Sequence, residues 1–363
     1  MLIAAASGRA LAASARRGGF APLVADRFGD IDTLDLVDGH VRADMTRPVD
    51  GDRLMVALET VANGRDCLGI VCGSGFEDRA DLLTRIGARW PLLGNGPDTV
   101  SALKDPIGFA RLCSDVGVPH PETSLTPPTD MAGWLVKRIG GAGGWHIRPA
   151  GHDPAGAGVY FQRRVAGTAV SALVLGNGKR VMVLGFSEQW AAPTARYPYR
   201  YGGAVRPAAL GTDMRMAAEA AIAQLAARVP LVGLNSADFL IEGSDFHLLE
   251  INPRPGATFD LFEPDGGSLF KLHVDACTGR LPQQPPRLDG AMAGAIVYAD
   301  RAIAAVPAVS WPEWTADRPA AGTRIDVDEP VCSVFAQAAT AEAAKRLLDQ
   351  RCGAVRSLAA RPS

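Results

Sequence analysis

The chain lacks the features that mark membrane, secreted and nucleic-acid-binding proteins. No apolar run approaches the roughly 18 residues a membrane-spanning helix needs, so no membrane partner is expected. The opening residues, Met1 to Ala6, are apolar over too short a stretch for a signal peptide and have no basic leader. Six cysteines (67, 72, 113, 277, 332 and 352) are scattered, with no Cys-x-x-Cys pair and no accompanying histidine spacing. That argues against a zinc site or a disulfide framework and fits a reducing cytoplasm. Charge is balanced, 37 basic residues against 39 acidic, which leaves no electrostatic footprint for nucleic acid. Lysine is scarce beside arginine, a bias of composition rather than of function. The first turn, Ser7-Gly8-Arg9, lacks the Gly-x-Gly-x-x-Gly of a dinucleotide site, and no Walker A loop follows any glycine run.

What is present begins with length: 363 residues suffice for two or three domains with substantial cores. Leu2 to Ala6, Pro22 to Asp26 and Cys67 to Cys72 read as buried strands, with a helix over Arg9 to Arg17, so residues 1–95 are expected to form a small parallel sheet. Asp26 stands where such sheets often place a ribose-binding acid; a polar strand end is the plainer reading. Asn95-Gly96-Pro97 is strong turn punctuation. A helix is expected over Lys104 to Cys113, ending near Gly117. Trp134 to Ile139 reads as a strand carrying Lys137, and it runs into Gly140-Gly141-Ala142-Gly143-Gly144. Glycines so dense leave backbone amides free to approach an anion and let a loop move, although most such loops are only flexible. Val170 to Leu175 and Arg180 to Phe186 should pair around Gly176-Asn177-Gly178-Lys179. Tyr197 to Pro207 has no periodicity and reads as a surface or active-site loop, and Asp213 to Arg228 as a helix. After the linker Pro282 to Pro286, the segments Gly294–Tyr298, Pro330–Phe335 and a helix over 341–351 suggest a small α+β cap.

The organising stretch is His247-Leu248-Leu249-Glu250-Ile251-Asn252-Pro253-Arg254-Pro255-Gly256. Its first half is a short apolar strand, yet Glu250 and Asn252, at i and i+2, leave the same face. An upstream strand, Ala237 to Ile241, is separated from it by Glu242-Gly243-Ser244-Asp245. Counting back from that turn puts Asp238 opposite Glu250, give or take one residue. Two facing carboxylates repel, and burial adds to the penalty, so a positive charge is expected between them. An all-oxygen set of two carboxylates and an amide suits a hard cation such as Mg²⁺. The plainer alternative is an edge hairpin whose acids face water. Arg254, in a turn fixed by two prolines, adds a guanidinium suited to a phosphate or carboxylate.

Taken in order, Lys104, Val136-Lys137 with the glycine loop to Gly144, Phe161-Gln162-Arg163-Arg164-Val165-Ala166-Gly167, Asp238-Phe239 and Leu249-Glu250-Ile251-Asn252-Pro253-Arg254 resemble the ATP-grasp superfamily over nearly the whole chain. The resemblance implies ATP held between two lobes. Lys104 and Lys137 would contact its phosphates, and the loop with Gly141, Gly143 and Gly144 would act as a lid. Gln162, Arg163, Arg164 and Val165 would lie along the adenine. Asp238, Glu250 and Asn252 would hold Mg²⁺, with Mn²⁺ an alternative. Arg254, Lys137 and Asn252 would serve the chemistry. Gln162 and Asp238 depart from the pattern, since many relatives carry Glu at both places.

The implied organisation is a Rossmann-like unit over 1–95, an ATP-grasp small lobe over 96–165, a large lobe with the metal site over 166–281, and an α+β cap over 288–355. The implied activity is an ADP-forming carboxylate–amine ligase that proceeds through an acyl phosphate, in the cytoplasm, with a homodimer as a candidate assembly. Glu77, Arg200, Tyr201 and Arg206 are candidates for reading an acidic or amino-acid substrate, or are solvated loop charges. The flanks Gly73 to Glu77 and Leu269 to His273 resemble biotin-carboxylase-like carboligases linked to one-carbon cofactor synthesis, where one activity joins glutamate to an amine for methanofuran-type cofactors. Two alternatives stay open: a bicarbonate-activating carboxylase and a non-catalytic nucleotide-binding module.

Overall fold

A computed structural model of the protein describes residues 1–46, 48–151 and 156–359. Three sheets organise it. The first is parallel and four-stranded, in the order Gly39–Arg42, Leu23–Asp26, Leu2–Ala5, Ile70–Cys72. Its strands are short apolar runs because both faces are covered. Leu2, Ala4, Leu23 and Ala25 pack beneath the helices Gly51–Ala62 and Ala80–Gly87. Ile3, Ala5 and Val24 turn the other way, toward the helices Arg9–Arg17 and Leu269–Cys277. The first strand therefore follows the period of two.

The sequence reading gave this sheet three strands; the structure adds Gly39–Arg42 at the edge. That strand is half-buried to exposed and carries one aliphatic side chain, Val41, so it has no apolar run to reveal it. Asp26 ties three strand ends together instead of reaching for a ribose. Its carboxylate accepts from Gly8 N (2.9 Å) and Gly29 N (3.0 Å) and lies 2.9 Å from His40 Nε2.

The second sheet is small and antiparallel: Thr123–Ser124, Val159–Arg163, Trp134–Arg138 and Arg148–Pro149. The third has eight strands, in the order Asp245–Asn252, Val232–Glu242, Thr168–Asn177, Val181–Ala191, Tyr201–Arg206, Ala291–Tyr298, Pro330–Ala338, Thr315–Ala316. One face of its long strands (Leu173, Leu175, Leu234) packs toward the parallel sheet's helices. The other face (Val170, Ala172, Val174) packs on the helix Thr212–Ala226. The strands Ala291–Tyr298 and Pro330–Ala338 extend this same sheet, covered by the helix Ala341–Ala359.

Two further expectations need correction. Tyr201–Arg206 is a strand inside the large sheet, paired on both sides, and not a loop. Its glycines hid it: a Cβ on Gly203 would collide with the Gly294 carbonyl and the Trp190 ring, so the close approach excludes the apolar residues that mark a strand. The helix expected over Lys104 to Cys113 is two helices, Pro97–Lys104 and Pro106–Asp115. Asp105 is extended and caps the second by accepting from Ile107 N at 3.2 Å, and Pro106 takes the first helical position. The break leaves Lys104 at a helix end. Among the described residues, no helix is long and apolar enough to cross a membrane.

Where the parallel sheet meets the C-terminal segment, Arg9 is buried and bonded to both oxygens of Asp260 (2.7 and 2.6 Å) and to Asp317 (3.2 Å). Asp30 lies in the same cluster, 8% exposed. Burial, and then the charges of Asp317, Asp26 and Asp32, push its carboxyl from the ordinary 3.8 up to about 8, against the pull of Arg9. An unfolded Asp30 loses its proton near the ordinary value while the folded one keeps it to about 8. Its burial is thus unopposed below about pH 4, and stability is lost as pH rises through the folded pKa. Asp30→Asn removes that ionisation, so the variant should gain about 1–3 kcal/mol over the wild type at pH 8.5 and little at pH 4. Urea denaturation at the two pH values checks it; an equal effect at both would contradict the assignment.

Candidate active site

The hairpin Val232–Glu242 and Asp245–Asn252 turns through Gly243 in the left-handed region (φ 61°). Its register sets Asp238 opposite Glu250 and Ser236 opposite Asn252. The acids meet through the amide of Asn252, whose Nδ2 donates to Asp238 Oδ2 (3.0 Å) and Glu250 Oε1 (3.3 Å). Lys104 closes the network: its Nζ donates to Glu250 Oε2 (2.8 Å) and Asn252 Oδ1 (2.7 Å). From the adjoining strand, the Ser171 hydroxyl donates to Asp238 Oδ1 at 2.6 Å. The expected facing pair is therefore present, and a lysine ammonium supplies the positive charge.

The electrostatics divide the pair. Burial pushes the Asp238 carboxyl up, the neighbouring Glu250 charge adds to the push, and the Ser171 bond and the Lys104 charge resist. Burial also acts upward on Glu250, but the charge and hydrogen bond of Lys104, followed by the charge of Lys137, outweigh it and hold Glu250 below its usual range. The Lys104 side chain is 6% exposed and that of Glu250 37%, so the open end of this ion pair is the carboxylate.

Glu250 and Lys104 line a cleft of about 570 Å³, counted to its open mouth, together with Lys137, Gln162, Tyr160, His120, His146 and four glycines of the loop. Lys137 comes from the small sheet and is 7% exposed; burial pulls its pKa down, partly offset by Glu250. Its Nζ donates to Gln162 Oε1 at 2.6 Å. Of the segment Gln162 to Val165, only Gln162 lines this cleft. Arg163 instead lies over the Trp134 ring (5.8 Å) and donates to Ala132 O (3.0 Å), and Arg164 N donates to Gly133 O (2.8 Å).

The glycine loop is seated against the large sheet. Gly140, Gly143 and Gly144 all have positive φ, and Gly143 O accepts from Tyr201 N at 2.9 Å. A Cβ on Gly144 would run into the Tyr199 carbonyl, so this contact requires glycine. Next along the loop, Trp145 meets the edges of Tyr197 and Tyr298 at 4.7 and 5.6 Å.

All four substrate candidates lie outside the cleft. Arg200 donates to Ala192 O (3.0 Å) and to Asp328 O and Oδ1 (3.1 and 3.0 Å), and stacks 3.8 Å above Tyr298. Tyr201 carries the backbone donor that seats the loop. Arg206 is buried and donates to the carbonyls of Leu261 and Gly290. These guanidiniums bind the fold together and are not solvated loop charges. Glu77 and Arg254 do come together: Arg254 Nε donates to Glu77 Oε1 at 2.8 Å, on a neighbouring apolar pocket that also includes Phe76, Leu93 and Leu234. The sequence reading missed Ser171, His120, Tyr160, His146 and Trp145. Of these, only His120, held between Pro119 and Pro121, carried a signal worth reading: a polar ring on a backbone fixed from both sides.

The donor set suits a hard cation. Two carboxylates flank the Asn252 amide, its nitrogen donating to both and its oxygen turned to Lys104, whose ammonium holds that oxygen and one of Glu250. Among the described residues no group of three or more His, Cys, Asp or Glu could hold a metal, so this site matches an ion that brings further oxygen ligands with it.

Residues 107–258 match the ATP-grasp domain family. Among solved structures, the fold superposes on the biotin carboxylase domain dimer of Hydrogenobacter thermophilus 2-oxoglutarate carboxylase, in complex with MgADP, ADP and bicarbonate. The TM-score is 0.75 at 14% identity, over 95% of this chain and 88% of that one. Campylobacter jejuni biotin carboxylase gives 0.73 at 15% identity, over 95% and 89%. Thermus thermophilus N5-carboxyaminoimidazole ribonucleotide synthetase gives 0.69 at 16%, over 100% and 99%. Residues 107–258 thus form an ATP-grasp domain, and the chain as a whole shares the fold of these carboxylase and synthetase structures.

Lys104→Met would leave two facing carboxylates without their cation. It should destabilise the protein by about 3 kcal/mol at pH 7.5 in metal-free buffer, and by less near pH 4, where protonation relieves the repulsion. Urea unfolding at both pH values measures this; a loss independent of pH would assign it to packing instead.

Proposed function

We propose that the protein is an ADP-forming ligase that uses ATP to phosphorylate a carboxylate and then joins the acyl group to an amine. The observation that carries this reading is the placement of Lys104 and Lys137 around one cleft with Glu250, itself bonded into the Asp238–Asn252 network. Cations on both sides of a cleft suit a polyphosphate, and acids at its base suit the ion that accompanies one.

In this reading Asp238, Glu250 and Asn252 hold Mg²⁺, or Mn²⁺, through their oxygens. Bound there, the ion neutralises phosphate charge. Lys104 and Lys137 bind the phosphates, with the glycine loop as the lid that excludes water. A carboxylate oxygen of the substrate attacks the γ-phosphorus, the bond to the bridging oxygen breaks, and ADP leaves. The amine nitrogen then attacks the acyl carbon, phosphate departs, and the amine proton passes to solvent. Both reacting partners of the first step are anions, so charge and positioning matter more than a general base. No serine or cysteine nucleophile is needed.

Glu77 and Arg254, paired beside the apolar pocket, are the pair we assign to the carboxylate substrate, with the guanidinium as its carboxylate-binding fork. An amino acid such as glutamate fits that chemistry. Residues 1–95 would then serve substrate binding, 96–165 and 166–281 the nucleotide, and 288–355 the support of the large sheet, in a cytoplasmic protein. The dimeric state of the Hydrogenobacter domain makes a homodimer the assembly to test first.

A second reading is favoured by the relatives: two of the three named are biotin carboxylases, one of them with bicarbonate bound, so bicarbonate is the competing carboxylate. An ADP-release screen over amino acids, amines and bicarbonate separates the readings. The ligase requires an acid and an amine together; turnover with bicarbonate alone supports the carboxylase. Glu250→Gln should lower Mg²⁺-dependent ADP release at least about 100-fold while the protein stays folded. Unchanged turnover in a folded variant would falsify the metal assignment.

A further inference from the structure

Lys137 is held by a chain of hydrogen bonds that reaches back to the acidic hairpin, and the chemistry of each atom fixes its direction. An ammonium only donates, so the Gln162 atom 2.6 Å from Lys137 Nζ must be the carbonyl oxygen. The Gln162 amide nitrogen is then turned toward His120 Nε2 and Thr123 Oγ1, each at 3.4 Å. On the far side of the ring, His120 Nδ1 lies 2.7 Å from the Leu248 carbonyl, which only accepts. Nδ1 therefore carries the ring proton, and Nε2 presents a lone pair to the Gln162 amide and to the Thr123 hydroxyl 3.2 Å away.

The ring is fixed from several sides. Phe109 meets it edge-on at 5.4 Å, prolines flank it in the chain, and Leu248 N donates to Pro119 O at 2.9 Å. The charges that face it from neighbouring strands are those of Lys137 and His247, and both, after burial itself, oppose its protonation; only the Leu248 carbonyl favours it.

We propose that His120 is a positioning residue for Lys137: its neutral ring, protonated on Nδ1, holds the Gln162 amide so that only the oxygen faces the ammonium. The chain of contacts ties the small lobe's lysine to the backbone two residues before Glu250, so the two sides of the cleft are set relative to each other. A protonated ring has no lone pair for the amide. Gln162 would then be driven to turn its NH₂ toward Lys137, and the ammonium would lose its acceptor. For nucleotide binding the consequence rests on the function proposed above; the tautomer and the bond do not.

The test has two arms on the full-length chain. In the first, ¹⁵N NMR of the His120 ring should show the Nδ1–H tautomer, with protonation only below the ordinary histidine range. An Nε2–H tautomer would overturn the proposal whether or not nucleotide binds. In the second, Mg·ADP affinity is followed by calorimetry between pH 5.5 and 8. The wild type should hold its affinity through the ordinary histidine range and lose it only toward the acid end, as the ring begins to protonate. Gln162→Glu, whose carboxylate holds Lys137 without help, should show a shallower acid limb than the wild type, the remainder being that of the metal-site carboxylate Asp238, and should restore the affinity that His120→Ala loses. The same acid limb in Gln162→Glu, or no rescue of His120→Ala, would also overturn it. Failure of the wild type to bind Mg·ADP at any pH would count against the proposed function, and the tautomer would still decide the role of His120.

Discussion

Everything in the cleft depends on two carboxylates placed face to face across one hairpin. Asp238 and Glu250 are register partners, and neither could be buried there without a positive charge. Lys104 supplies it, reaching from the end of a helix that Pro106 cuts short. Replacing such a network with apolar residues would commonly be neutral or stabilising, so stability does not explain its presence. The proposed role, holding a divalent ion with its anionic cargo, would explain it.

The large sheet gives this arrangement its rigidity. Ser171 on the adjoining strand fixes Asp238, and that strand buries aliphatic residues on both faces. The glycine loop rests on the same sheet through Gly143 and Tyr201, with Trp145 seated among Tyr197, Tyr298 and Arg200. Arg200 and Tyr201, which looked like substrate readers, thus form part of the surface on which the glycine loop sits. Arg200 and Arg206 act through the backbone carbonyls they satisfy.

Much of the site was legible because short-range chemistry encodes it. Counting from the turn Glu242 to Asp245 came within one residue, since a register shift between Asp238 and Phe239 moves the partner of Asp238 from Leu249 to Glu250, and a period of two put Glu250 and Asn252 on one face. The order of motifs then pointed to Lys104 and Lys137, two of the five lysines in the chain. What stayed hidden depends on contacts between distant segments. Ser171 is one serine among many until its strand is laid beside Asp238. Tyr201–Arg206 is a strand whose glycines follow from close approach to Gly294 and Trp190, a tertiary demand with no local pattern. Gly39–Arg42 is an edge strand with too little apolar content to be seen. The pairing of Arg254 with Glu77 joins residues 177 apart, and no spacing rule reaches that far.

The most direct measurement is anomalous diffraction from crystals grown with Mn²⁺ and ADP. The account predicts one metal peak at about 2.1–2.2 Å from oxygens of Asp238, Glu250 and Asn252, with the Lys104–Glu250 ion pair opened to admit it. A nucleotide bound in the cleft with its metal elsewhere, and that ion pair intact, would contradict it.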